Sequence, residues 1–364
     1  MKSINRLNRL YDFYTSDLSY KEIEKLIKRD IPELYNFYVN KMKDSSSGQT
    51  TNPRKLVKFL RALFIEFLQQ LTPVRRLLYT FGLILFFYGM LSDQHNSMFF
   101  GFLIVNLMLA FELADKLIAK DELSVARDVQ VGLMPKEPPK NKFYDISCYS
   151  EAAREVGGDY FDFITNETSP ETVYAVIGDI SGKGMAAALH MAQVQAVLHN
   201  LIGYYNSPKE ILILLNENFI KIFKKGSFFT TILACIGQDG SILFARAGHT
   251  PLLYYHKKEN KCSNIIPKGM GIGLSHNSIF ENSLEEIKIH PESGDILIFY
   301  TDGVVEAMNE YMQQYGEELL KNIVLRNVDK CAKSIQEIIL ESVSNFIGTS
   351  PAHDDLTLIV MKAV

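Results

Sequence analysis

Two apolar runs without a charged residue, 77–91 (LLYTFGLILFFYGML) and 98–111 (MFFGFLIVNLMLAF), are separated only by SDQHNS at 92–97. Helices built from them are apolar on every side and must be hidden from water, in lipid or in a helical bundle. Length alone favours a bundle. Fifteen residues at 1.5 Å each reach about 22 Å, short of a hydrocarbon layer of about 30 Å. Charge placement favours lipid. Arg75 and Arg76 precede the first run, Lys116 and Lys120 follow the second, and the loop has no Lys or Arg. That pattern puts both ends of a hairpin in the cytoplasm. We expect a multi-pass protein of the inner (cytoplasmic) membrane with a two-helix hairpin at 74–114. The alternative is a buried helical dimerisation bundle.

The segments on either side differ in charge. Residues 1–76 hold 15 Lys and Arg against 8 Asp and Glu, leaving 23 against 34 in the rest of a chain whose net charge is −4. A basic segment beside an apolar one suits an anionic membrane surface, and an acidic one suits cations. The balance excludes a nucleic-acid partner. Residues 1–73 read as a helical region. Ile23, Leu26, Ile27, Leu34 and Phe37 recur at helical spacing, a polar linker lies near 43–53, and a second amphipathic stretch follows at 56–71. Cys148, Cys235, Cys262 and Cys331 show no CxxC spacing, as expected of free thiols in a reducing compartment.

Beyond the hairpin, 112–134 reads as one helix with a stripe of Ile118, Val125, Val129 and Leu133, ended by Pro135. We expect 115–135 to be a linker or signalling helix whose stripe can pair with a second copy in a homodimer. A surface helix packed on its own domain is the alternative. From Tyr144 the texture changes to short strands and helices. Ser207 and Glu210 form a capping-box pattern with Pro208 at the first helical position. Strands are predicted at 172–180, 230–236, 241–246, 252–255, 284–289, 295–300 and 356–361, with helices at 185–203, 317–326 and 329–346. Tight turns such as QDG at 238–240 favour antiparallel pairing under outer helices, an α+β domain over 136–364.

Four segments of that domain set aspartate at the end of an apolar strand or beside glycine: VGGDYFDF (156–163), VIGDISGKG (176–184), LIFYTDGVVEAMN (297–309) and HDDLTLIV (353–360). One such Asp is ordinarily a turn residue. Several brought together offer hard oxygen ligands for Mg2+ or Mn2+, ions that keep water and take few protein ligands. Two such ions about 3.5–4 Å apart activate a shared water and clamp a phosphoryl group, with no Ser, Cys or His nucleophile.

In order and spacing these segments resemble the metal-dependent protein phosphatase (PPM) family, in its bacterial sporulation-stage-II-E (SpoIIE) and sigma-regulator branch. The resemblance covers about 122–364 and includes ELSVARDVQVGLMP, EAAREVGGDYFDF, GDISGKG, AGHTPLL, YTDGVVEAMN and DDLTLIV. It implies a four-layer α-β-β-α sandwich of two antiparallel sheets. It also implies hydrolysis of phosphoserine or phosphothreonine on a partner regulator protein, such as an anti-sigma-antagonist type, in signal transduction.

The resemblance assigns roles residue by residue. Asp179 bridges the metals and activates the water, with the Ile180 main-chain carbonyl as a further ligand. Asp159 serves the first metal and Asp302 the second. Asp354 matches the last ligand position, and Asp355 is its alternate or orients it. Two Mn2+ or Mg2+ ions are implied, or three. Gly182 and Gly184 let backbone approach the metals. Arg154 is a candidate phosphate contact at altered spacing, and Lys183 stands where relatives often carry His. His249, in AGHTPLL, is expected to shape a turn rather than act as a base. Two other readings compete. GGDYF (157–161) resembles the GGDEF loop of nucleotide cyclases but lacks its Glu. A membrane-anchored binding partner without activity is the other.

Overall fold

The computed structural model describes residues 71–364 except 167–168, 224–225, 349 and 351–353, together with 61, 64, 65 and 67–69. The expected helix at the N-terminus, the 43–53 linker and most of the 56–71 stretch lie outside the described residues. The chain divides into two compact units between Ile118 and Ala119.

In the first unit, helix α1 (Pro73–Leu91) and the start of helix α2 (His95–Leu133) form the expected hairpin. Pro73 at the first helical position extends α1 four residues upstream of the apolar run. Its 19 residues then reach about 28 Å, which removes the length objection. Glycines set the helix contact. A Cβ on Gly101 would lie 2.4 Å from the Phe86 nitrogen, and one on Gly82 2.9 Å from Ile104 Cγ2. Leu77, Phe81, Ile84, Phe87, Phe99 and Phe102 point outward and are exposed. Only 11% of each apolar window is buried, so these are not core helices of this chain. Arg75 pairs with Glu112 at 3.2 Å and Asp115 at 2.6 Å, tying the hairpin's two ends.

The second unit holds two five-stranded antiparallel sheets. One runs β1 (Tyr144–Glu151), β10 (Leu356–Ala363), β9 (Ile296–Tyr300), β6 (Leu252–His256), β7 (Lys261–Ile265). The other runs β2 (Asp159–Asn166), β3 (Ser169–Ile180), β4 (Phe229–Ile236), β5 (Ile242–Ala247), β8 (Glu286–Ile289). Phe161, Ile177, Ile232, Phe244, Leu297, Phe299 and Met361 fill the space between the sheets. Helices α3 (Met185–Tyr204) and α4 (Pro208–Ile222) cover one outer face, through Met191, Leu198, Ile211 and Phe219. Two helices lie on the other face. Their buried side chains include Leu320 and Val324 from α7 (Gly316–Arg326), and Ile335, Ile339 and Val343 from α8 (Ala332–Ile347). Helices α5 (Asn277–Ser283) and α6 (Asp302–Val305) are short. The α-β-β-α sandwich implied by the resemblance is present. Each fully buried aliphatic or aromatic side chain contributes roughly 1.5–3 kcal/mol, so these three cores, not the polar site, carry the fold.

The capping box is half local. Ser207 Oγ accepts from the Glu210 amide at 3.2 Å, as predicted. The complementary carboxylate comes from β8: Glu286 Oε1 accepts from Ser207 Oγ at 2.8 Å and from the Lys209 amide at 2.9 Å.

Candidate metal centre

Strand pairing gathers the carboxylates. Asp159 opens β2 opposite Asp179, near the end of β3. Asp302 is the second residue after β9 and opens α6, and Asp354 and Asp355 immediately precede Leu356, where β10 begins. Asp302, Asp354 and Asp355 all push the Asp179 carboxyl upward, after burial as the largest cause, with Lys183 opposing; it rises to about 7. The Asp302 carboxyl is raised by burial, then by Asp354 and Glu306. Asp159 is raised well above the carboxylate range by burial and then by Asp179. Burial and neighbouring carboxylates that raise Asp159, Asp179 and Asp302 are what a divalent cation relieves, and carboxylate oxygen is the donor such ions prefer.

The surrounding groups hold these carboxylates in place. Asp159 Oδ2 accepts from Thr301 Oγ1 at 2.7 Å, and Thr301 Oγ1 accepts from the Thr357 amide at 3.0 Å. Both threonines are fully buried. Asp355 and Asp354 differ sharply. Asp355 is buried and both its oxygens take backbone amides, Ala153 at 2.8 Å and Gly158 at 2.6 Å. Asp354 is 44% exposed and pairs with Lys183 Nζ at 2.9 Å. The Ile180 carbonyl lies against Gly158, where a Cβ would sit 2.7 Å from it and 2.9 Å from Asp179 Oδ1. A Cβ on Gly303 would lie 1.9 Å from the Asp355 carbonyl. The close-approach glycines are therefore Gly158 and Gly303. Gly182 and Gly184 have open space and are needed instead for their φ of 100° and 75°. Among the described residues no three His, Cys, Asp or Glu form a ready ligand cage.

Arg154 is exposed in the 152–158 loop. His249 is buried, with Nδ1 3.0 Å from Thr230 Oγ1 and burial holding its pKa down at about 3, as fits a residue that shapes the turn. Sequence reasoning missed Thr301, Thr357 and Gln130. Gln130, on α2, is buried; its Nε2 donates to the Gly157 carbonyl at 2.8 Å and its Oε1 accepts from the Gly157 amide at 3.1 Å. A lone polar residue between Val129 and Val131 was the available signal.

Residues 169–364 match the family described as Stage II sporulation protein E (SpoIIE). Phosphoserine phosphatase RsbU from Bacillus subtilis is 28% identical over 247 residues, covering 67% of this chain and 70% of that protein. Protein IcfG from Synechocystis is 24% identical over 286 residues, covering 71% of this chain and 44% of that one. Among solved structures, the SiaA PP2C domain of Pseudomonas aeruginosa superposes with a TM-score of 0.58 at 17% identity, over 68% of this chain and 98% of that domain. The PP2C phosphatase domain of Bacillus subtilis SpoIIE, with a fragment of its regulatory domain, gives 0.51 at 20% identity, over 62% and 64%. At these identities the structural likeness establishes the fold.

Proposed function

The chain belongs to the SpoIIE family, and from that premise we propose that it is a metal-dependent protein phosphatase acting on phosphoserine or phosphothreonine of a partner regulator protein. The observation that carries this reading is the gathering of carboxylates by the strands: Asp159 stands opposite Asp179 across β2 and β3, Asp355 holds the Gly158 amide beside them, and Asp302 and Asp354 flank β9 and β10. Bound there, two Mn2+ or Mg2+ ions supply Lewis-acid activation of a water and neutralise phosphoryl charge. Asp179, Asp159, Asp302 and Asp354, with the Ile180 carbonyl, are the residues we assign to hold them. Asp355 holds Ala153 and Gly158, and so fixes the loop that delivers Asp159. Lys183, beside Asp354, is placed to meet phosphate oxygen once that carboxylate faces a cation. Arg154 remains a candidate only for an outer phosphate contact.

The hairpin supports a multi-pass inner-membrane protein with its catalytic unit in the cytoplasm. The likeness to phosphoserine phosphatase RsbU supports a regulator protein as substrate. We read 1–73 as a helical region, 74–114 as the hairpin, 115–135 as a signalling helix and 136–364 as the phosphatase domain. The Gln130–Gly157 pair supports control by that helix, through rotation or pairing with a second copy.

The test is hydrolysis of p-nitrophenyl phosphate and of a phosphoserine protein by the purified chain with Mn2+, with EDTA, and with Asp179→Asn. Activity that needs the metal and vanishes in the variant supports the reading. Undiminished turnover in EDTA refutes it.

A further inference from the structure

The cleft at Lys183 and Asp354 continues into a groove of about 940 Å3 that runs to the end of α8. That volume lies at the upper end for small-molecule pockets, and Asp354 is the one metal-site carboxylate among its lining residues. Met308, Met312, Leu340 and Ile347 give it an apolar wall. Glu151, Glu306 and Glu341 line it as well, all exposed, against Lys183 as the one base among its lining residues.

A second, independent feature stands at the same place. The chain turns sharply at 309–313, and the Asn309 side chain braces the turn. Its Oδ1 accepts from the Tyr311 amide at 2.9 Å and the Gln313 amide at 3.0 Å, and its Nδ2 donates to Gln313 Oε1 at 3.0 Å. Met312 adopts a φ of 59°, a left-handed conformation that a long side chain rarely takes. The turn thereby holds Tyr311 and Met312 in water, 82% and 70% exposed. An outlier maintained by dedicated hydrogen bonds, presenting apolar side chains beside a catalytic cleft, points to a binding role.

We propose that this groove docks the stretch of substrate protein adjoining its phosphoserine, and that it selects a stretch with a large apolar side chain and Lys or Arg. The proposal rests on the phosphatase reading above. The groove reaches the proposed metal site through Lys183 and Asp354, so a chain laid along it brings its phosphate to those carboxylates. A phosphoserine carries about −2 charge and would be repelled by the three glutamates unless basic neighbours accompany it. The apolar wall and Met312 take the apolar side chain.

The experiment uses the full-length chain in detergent with Mn2+, p-nitrophenyl phosphate, and two synthetic phosphoserine peptides. One peptide is flanked by Lys and Leu, the other by Glu and Ser. The expected result is a preference of about ten-fold in kcat/KM for the Lys/Leu peptide, from two or three exposed charge pairs and one apolar contact. Glu341→Lys should cut that preference about five-fold, and Met312→Asp should raise KM for the Lys/Leu peptide with little change in kcat. Turnover of p-nitrophenyl phosphate with equal rates on both peptides overturns the groove alone. No turnover of any of the three overturns the phosphatase reading and the groove with it. Glu341→Lys accelerating all three substrates alike also overturns the proposal.

Discussion

Asp354 and Asp355 are chemically identical neighbours, and the structure predicts opposite consequences for the same substitution. In Asp355→Asn one carboxylate oxygen becomes an NH2 facing either the Ala153 or the Gly158 amide, both now within 2.8 Å of an acceptor. One charge-assisted hydrogen bond is lost and one buried N–H is left unpaired, at a combined cost of about 3 kcal/mol. For a unit the size of 119–364, each kcal/mol lowers Tm by about 2–4 °C, so a loss of about 6–12 °C is expected. Asp354→Asn breaks a half-exposed pair with Lys183, worth about 0–1 kcal/mol, and should leave the Tm in EDTA nearly unchanged. Excess Mn2+ separates the two further. A cation at 100 times its Kd adds about 2.7 kcal/mol of stability, read as a rise in Tm. Asp355→Asn should start low and keep most of that rise, whereas Asp354→Asn should start normal and lose it. If Asp355→Asn melts with the wild type in EDTA while Asp354→Asn keeps the Mn2+ response, the roles are reversed and the assignment is wrong.

Three other outcomes are expected. Gln130→Ala removes both bonds to Gly157, about 2–3 kcal/mol of local support for the loop before Asp159, and should shift the Mn2+ dependence of turnover to higher concentration; a wild-type titration curve refutes the coupling. His249 has a folded pKa of about 3, depressed by burial and then by Arg246, against about 6.5 when unfolded, so its protonation favours unfolding. Its contribution is intact above about pH 6.5 and falls by up to about 1.4 kcal/mol per unit as pH drops toward 3, so the Tm gap between wild type and His249→Gln should shift steadily toward the variant there; a gap independent of pH would show that His249 titrates normally. Finally, the chain should resist carbonate extraction and a tag at Asn96 should read outside the cytoplasm; release into the soluble fraction would remove the membrane from the account.

The sequence made local patterns legible and long-range partners illegible. The apolar runs of 172–180, 230–236 and 356–361 marked strands that the structure contains, and Ser207 with Pro208 marked the start of α4. These signals lie within a few residues of one another. Glu286, which completes that cap, lies 79 residues from Ser207, and no local pattern names it. The same holds for Thr301 beneath Asp159 and for Gln130 on Gly157. The pair DDL could not be divided by sequence because both residues have the same chemistry; only the direction in which β10 points each side chain separates them. The first apolar run understated α1 because Pro73–Arg76 extends the helix through the charged Arg75 and Arg76. The second run and the helix read at 112–134 form one unbroken helix, α2, to Leu133.

The brace at Asn309 divides labour along the chain. The turn at 309–313 keeps its shape through the Asn309 side chain, its Gln313 partner and two bonds within its own backbone. Tyr311 and Met312 can therefore be exchanged without disturbing Thr301, Asp302 or the strand that carries them. Retargeting such an enzyme to a new protein is then a matter of rewriting two surface letters, with Asn309 and Gln313 left alone.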